Sequence, residues 1–193
     1  MKKGSFVFLM ILSGILLAGS PPAVETFKFL PDSGRDLLLK VLDHCKQCDD
    51  LDPASLATTK RTSEEWKAYF TPKGVLGGLS EKQVKELTMY LAINLPLPEG
   101  QVPKNSKKLD FLPKGGKELL MEHCMSCHTV AAPCLVERPE AGWENLLERG
   151  DHITVLEKLK KSEAKTLTSY LAINMPIPEE EIPEDLRVPA PRQ

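Results

Sequence analysis

Between residues 34 and 45, Leu37, Leu38, Val41 and Leu42 share one face at helical spacing, which predicts an amphipathic helix ending at a cysteine pair. The same spacing sets Leu119, Leu120 and His123 on one face just ahead of Cys124. Thr62 with Glu65, and Ser80 with Gln83, are capping-box patterns that open two further helices, the first carrying Trp66. Val84, Leu87 and Leu91 continue the second, and Leu159, Leu167, Tyr170 and Leu171 repeat its pattern later in the chain. No segment shows sustained alternation or hairpin turn chemistry. The pattern predicts an all-α fold of short helices, three or so per unit, joined by long loops.

The units are two, because the chain is an internal duplication. Phe29-Leu30-Pro31 with Gly34 recurs as Phe111-Leu112-Pro113 with Gly116, and His44-Cys45-Lys46-Gln47-Cys48 recurs as His123-Cys124-Met125-Ser126-Cys127. Trp66 has its counterpart in Trp143, and Tyr90-Leu91-Ala92-Ile93-Asn94 returns unchanged at 170–174. A proline-rich exit follows each copy. A period of about 80 residues means two similar modules rather than a solenoid of shorter repeats. Their boundaries fall at about 27–103 and 109–184, with a polar linker at 104–108 and a tail at 185–193.

Lys2 and Lys3 precede an apolar run from Phe6 to about Ala18, then small residues and Pro21-Pro22. This is the layout of a secretory signal peptide, 1–22, with cleavage between Ala18 and Ala23. An uncleaved anchor is the alternative, although the run falls short of the ~20 residues a spanning helix needs. Export to a periplasm or an equivalent compartment is expected, with membrane contact only through an uncleaved signal. The formal charge of −2 is near balance, with no basic block to suggest nucleic acid.

Cys124-Met125-Ser126-Cys127-His128 carries the chemistry. C-x-x-C-H is the attachment signature of c-type haem: two thiols form thioethers to the porphyrin vinyl groups, and the histidine supplies an axial iron ligand. A zinc site, or a disulfide beside an idle histidine, is the competing reading. A helix running into C-x-x-C-H, long loops and a final amphipathic helix ending in Tyr-Leu resemble class I cytochrome c, over nearly all of the second unit and in degenerate form over the first. The resemblance implies two tandem cytochrome c-like helical lobes and one covalent haem c (heme c) in the second. Cys124 and Cys127 would bind it, with His128 as the proximal ligand.

The family usually supplies a methionine as sixth ligand from the loop before the last helix, and here the chain departs from it. Between His128 and Tyr170 there is no methionine but one histidine, His152, in Arg149-Gly150-Asp151-His152. His152 is therefore the candidate distal ligand, and bis-histidine ligation predicts a lower reduction potential than His/Met. A solvent-exposed loop histidine with open or different iron ligation is the alternative. Met175 follows the final helix, where packing is the commoner role, and Met125 lies inside the attachment motif. His123 and His44 precede their cysteines and are expected to be structural.

In the first unit Asp49 stands where the second has His128, and neither histidine nor methionine occurs between Asp49 and Thr88. This lobe is expected to be haem-free. Cys45 and Cys48 are then expected to form a local disulfide in an oxidising compartment. A redox-active dithiol or a single-thioether haem stays open. Cys134 is the odd fifth cysteine: a buried small hydrophobe, a disulfide partner of Cys45 or Cys48, a link to another chain, or a reactive thiol. Trp143 is expected to pack in the core near the haem.

Three functions are compatible with this pattern. The first is a single-electron carrier with redox partner proteins. The second is a subunit or docking module of a larger oxidoreductase, with the haem-free lobe as partner surface. The third is a haem enzyme or ligand sensor with an open sixth position. No paired carboxylates, nucleophile constellation, phosphate loop or basic-aromatic patch argues for other chemistry, so no catalytic residue is assigned.

Overall fold

The computed structural model describes residues 27–44, 51, 53–102, 111–125, 129 and 131–187. The expected signal segment 1–22, the linker 104–108, Cys45, Cys48, Asp49, Cys127 and His128 lie outside the described residues. So does 188–193 of the expected tail.

The chain is all-α. Among the described residues the first repeat holds α1 (Gly34–His44), α2 (Pro53–Thr58), α3 (Ser63–Phe70) and α4 (Glu81–Asn94). The second holds α5 (Gly116–His123), α6 (Ala131–Cys134), α7 (Glu140–Leu147), α8 (Ile153–Leu156), α9 (Lys161–Asn174) and α10 (Glu184–Arg187). No helix among the described residues is long and apolar enough to cross a membrane.

The helix starts follow their sequence signals. At α3 the Thr62 hydroxyl accepts from the Glu65 N–H at 3.2 Å, and the Glu65 carboxylate accepts from the Thr62 N–H at 2.7 Å. Ser80 and Gln83 close the same reciprocal pair at α4, satisfying two of the amides that a helix start leaves without partners. In the second repeat only the returning half survives: Glu118 accepts from the Gly115 N–H and Glu163 from the Lys160 N–H, both at 2.8 Å.

Buried apolar side chains gather in two clusters, and the clusters do not keep to the repeats. One is built on Leu37, Leu38, Trp66, Phe70, Leu87 and Leu91, and it takes in Leu112 with Phe111 packed against it. The other is built on Leu119, Leu120, Trp143, Leu167 and Leu171, and it takes in Phe27 and Leu30. Each repeat thus sends its opening Phe-Leu-Pro segment into the other's core. Two tyrosines fasten the exchange: the Tyr90 hydroxyl donates to the Pro113 carbonyl at 2.6 Å, and the Tyr170 hydroxyl donates to the Pro31 carbonyl at 2.8 Å. A phenol buried this deeply needs an acceptor, and the neighbouring repeat supplies it both times.

Helices α4 and α9 pack on each other at the centre, with α1 and α3 against α4 and α5 and α7 against α9. Their shared face is polar as well as buried. Asn94 Nδ2 donates to Thr166 Oγ1 at 2.8 Å, and Asn174 Nδ2 donates to Glu86 Oε2 at 3.2 Å. Asn94 corresponds to Asn174, and Glu86 to Thr166, so the two bonds are one contact made twice, as an approximate two-fold relation between repeats requires. At the start of α1 and α5 the backbones come very close to these helices. A Cβ on Gly34 would lie 2.2 Å from Tyr90 Cβ, and one on Gly116 would lie 2.1 Å from Tyr170 Cβ. Only glycine fits at either place.

Candidate functional site

Cys124 caps the C-terminal end of α5, its N–H donating to the Leu120 carbonyl. Leu119 and Leu120 bury completely one turn earlier, which turns the end of α5 onto the second apolar cluster. Cys124 and Met125 are half-buried against that cluster. Met121, Val136, Leu146, Val155, Leu156 and Leu159 lie around its border, also half-buried. The first cysteine of the attachment motif therefore sits where an apolar wall meets solvent, which suits a largely apolar macrocycle with a polar edge.

His152 ends a 3₁₀ turn, Gly150–His152, that leads straight into α8. Gly150 has φ of +55°, and this left-handed residue reverses the chain after Arg149 so that the turn can form. His152 is half-exposed, and its N–H donates to the Arg149 carbonyl at 3.2 Å. Val155 and Leu156, just beyond it, border the same cluster as Cys124. The end of α5 and the His152 turn thus flank one core.

Trp143 is buried in this cluster, and its indole Nε1 is buried without a hydrogen-bond partner among the described residues. The Arg138 guanidinium lies 5.7 Å from the Trp143 ring centroid. A buried indole N–H calls for an acceptor, and the carboxylate edge of a haem would supply one. Apolar wall, thiol and orphaned donor all fit the group that the attachment motif implies. The first repeat keeps part of this set: Trp66 Nε1 is likewise buried and unpartnered among the described residues. There, however, Tyr69 and Phe70 stand where the second repeat has Leu146 and Leu147. Phe70 stacks on Trp66 with centroids 5.6 Å apart, and Arg61 lies 4.1 Å from the Tyr69 centroid and 4.7 Å from that of Trp66. The rings of Tyr69 and Phe70 thicken the first core where the second has aliphatic side chains, while Arg61 over Trp66 is matched by Arg138 over Trp143.

Three further residues find their places. Met175 is buried in the second cluster as the C-cap of α9, and Leu95 occupies the corresponding position in the first cluster. A leucine does the same work there, so Met175 is a packing residue. His123 closes α5 with its side chain largely buried and its Nε2 3.9 Å from Glu122. Cys134 is wholly buried and a free thiol. Its carbonyl accepts from the Ile177 N–H at 2.8 Å, as the Ala57 carbonyl accepts from the Leu97 N–H at 2.8 Å. Cys134 thus stands where the first repeat has a buried alanine. Burial, with a smaller contribution from Cys124, pushes its thiol pKa up to about 12, so it stays protonated and unreactive at neutral pH. The buried small hydrophobe is the role that fits.

A groove of about 690 Å³ lies between α7, α8 and the start of α9, where it shares Leu147 and Leu156 with the second cluster, and Ile93 of α4 reaches it. Neither Cys124 nor His152 lines it. Among the described residues no group of three or more His, Cys, Asp or Glu side chains could hold a metal ion. Cys127 and His128 lie outside them. Comparison with protein-family models, curated proteins and solved structures finds no match for this chain.

Proposed function

We propose that this protein is an exported c-type cytochrome that carries single electrons through one haem in the second repeat. The observation that carries the reading is the C-x-x-C-H run opening at Cys124, on the half-buried apolar border of the second cluster. Cys124 and Cys127 would hold the group through thioethers, His128 would ligate its iron, and His152 would supply the second axial ligand. Bound haem supplies reversible one-electron chemistry at its iron; the protein fixes ligation, dielectric and edge exposure. Leu119, Leu120, Trp143 and Leu171 exclude water on the inner side, and the Trp143 indole N–H offers a donor to a carboxylate.

One haem rather than two is supported by Asp49 in place of a histidine and by the ring cluster of Trp66, Tyr69 and Phe70. A second reading, a subunit or docking module of a larger oxidoreductase, draws support from the cross-repeat bonds of α4 to α9. A haem-free repeat fastened this way serves as scaffold and leaves its outer faces for a partner.

The test is the intact mass of the mature protein made with cytochrome-maturation machinery, followed by peptide mapping. One haem equivalent on the peptide holding Cys124 and Cys127 is expected. No haem there would remove the electron-transfer reading, and two equivalents would overturn the account of the first repeat.

A further inference from the structure

Helices α4 and α9 are copies, yet their C-terminal ends are finished differently. At the end of α9 the Lys82 ammonium donates to the Asn174 carbonyl at 3.1 Å, which sets a positive charge on the negative pole of that helix. In the second repeat Ser162 stands in the place of Lys82 and brings no charge. No side chain among the described residues donates to the Asn94 carbonyl at the matching end of α4. The Asn94 side chain adds a second oxygen without a donor: its Nδ2 is used by Tyr90 and Thr166, and its Oδ1 is buried and unpartnered, with 7% of the residue exposed. The end of α4 therefore lacks the cation that its copy has.

Ser162 and Ile93, the neighbour of Asn94, line the groove of about 690 Å³, which is the size of a small-ligand site. Ile93, Leu147 and Leu156 give it an apolar wall. Its charged groups do not cancel. Lys165 is already held by two carboxylates, Glu140 and Glu144, each at 2.9 Å. Glu148 lines the groove with no ion-pair partner among the described residues. Against the single charge of Lys161 stand Glu148, the second carboxylate on Lys165, and the end of α4.

We propose that this groove binds an aliphatic diamine. One ammonium takes at the end of α4 the place that Lys82 takes at the end of α9, the other pairs with Glu148, and the methylene chain lies on Ile93, Leu147 and Leu156. An apolar chain with a cation at each end answers an apolar wall bordered by negative groups, and longer polyamines share that chemistry. The site stands apart from the haem reading, since neither Cys124 nor His152 lines the groove.

The experiment titrates the mature protein with cadaverine at low salt by calorimetry and follows the Ile93 methyl resonance. Saturable one-site binding that shifts Ile93 is expected, and none with pentanediol, the same chain without charge. Ser162→Lys, which copies Lys82, and Glu148→Gln should each weaken binding about tenfold or more. Glu148→Gln, at an exposed position, serves alone if Ser162→Lys does not fold. Binding without saturation would overturn the proposal, and so would an affinity unchanged in either folded variant. Ile93 shifts that follow protein concentration and not cadaverine would mean that a second copy occupies the groove, and would overturn it as well.

Discussion

Replacing Gly116 with alanine is expected to destabilise the protein by about 2–3 kcal/mol. The new Cβ would lie 2.1 Å from Tyr170 Cβ and 2.5 Å from its Cγ, where ordinary contact begins at 3.4 Å. Neither atom is the loose end of a side chain. Tyr170 is fully buried, its ring is tethered to the Pro31 carbonyl, and its Cβ moves only with α9. Helices α5 and α9 must therefore separate by more than about 1 Å, which belongs to the overpacking range of about 1–3 kcal/mol. The strained Tyr170–Pro31 bond adds about 1 kcal/mol. Alanine's helix preference returns at most about 1 kcal/mol, and less at the first residue of a helix. For a protein of this size the midpoint should fall by about 5–10 °C. Gly34→Ala should cost at least as much, since its Cβ would also sit 2.7 Å from the Glu86 carbonyl oxygen and push against the bond from the Gly34 N–H to the Glu86 side chain. Gly142→Ala is the control: its Cβ meets nothing nearer than 3.3 Å, so a change within about 0.5 kcal/mol is expected. Urea denaturation followed by circular dichroism reads all three. A Gly116→Ala midpoint equal to wild type at unchanged m-value would refute the close approach of α5 to α9.

Tyr90→Phe and Tyr170→Phe should each cost about 1–2 kcal/mol by urea denaturation, because each strands a carbonyl that the other repeat contributes; a neutral result at both would dissolve the exchange of segments. Cys134 should resist alkylation in the native protein and react on unfolding, and Cys134→Ala should cost less than about 1.5 kcal/mol, as befits the position of Ala57; fast native labelling would contradict its burial. If the second repeat takes the haem proposed above, His152→Ala should shift the absorption spectrum and raise ligand binding at the iron, and an unchanged spectrum would sink His152 as axial ligand.

Local signals were legible in the chain. Thr62 and Ser80 cap where their Glu and Gln partners predict, and Leu37, Leu38, Leu119 and Leu120 bury where helical spacing puts them. The exchange of Phe-Leu-Pro segments was not legible, although both copies of the motif are plain. A repeated apolar segment carries no mark of which core it will enter; the bonds that fasten each one in place come from a tyrosine hydroxyl of the other repeat. Glu86, Asn94, Thr166 and Asn174 were missed for a related reason. Periodicity finds apolar stripes, and these four are polar residues buried by a neighbour about 80 positions away. The identical Tyr-Leu-Ala-Ile-Asn stretches were the available signal, since an asparagine retained in both copies has a bond to make in both. Around the candidate site, the C-x-x-C-H run singled out Cys124, which the structure places at the end of α5. The cluster it borders depends on long-range packing that no motif announces.

Ser33 and Gly115 occupy corresponding places in the two repeats, and they touch each other. A Cβ at Gly115 would fall 2.1 Å from Ser33 Oγ and 2.8 Å from Ser33 Cβ. Where a position meets its own counterpart, a self-paired dimer of one repeat would have to accept the same residue twice, and two serines do not fit. Covalent fusion lifts that constraint, because the halves are free to become a matched knob and socket. Neither half can then stand in for the other: two copies of the first would collide at this spot, and two of the second would leave it hollow.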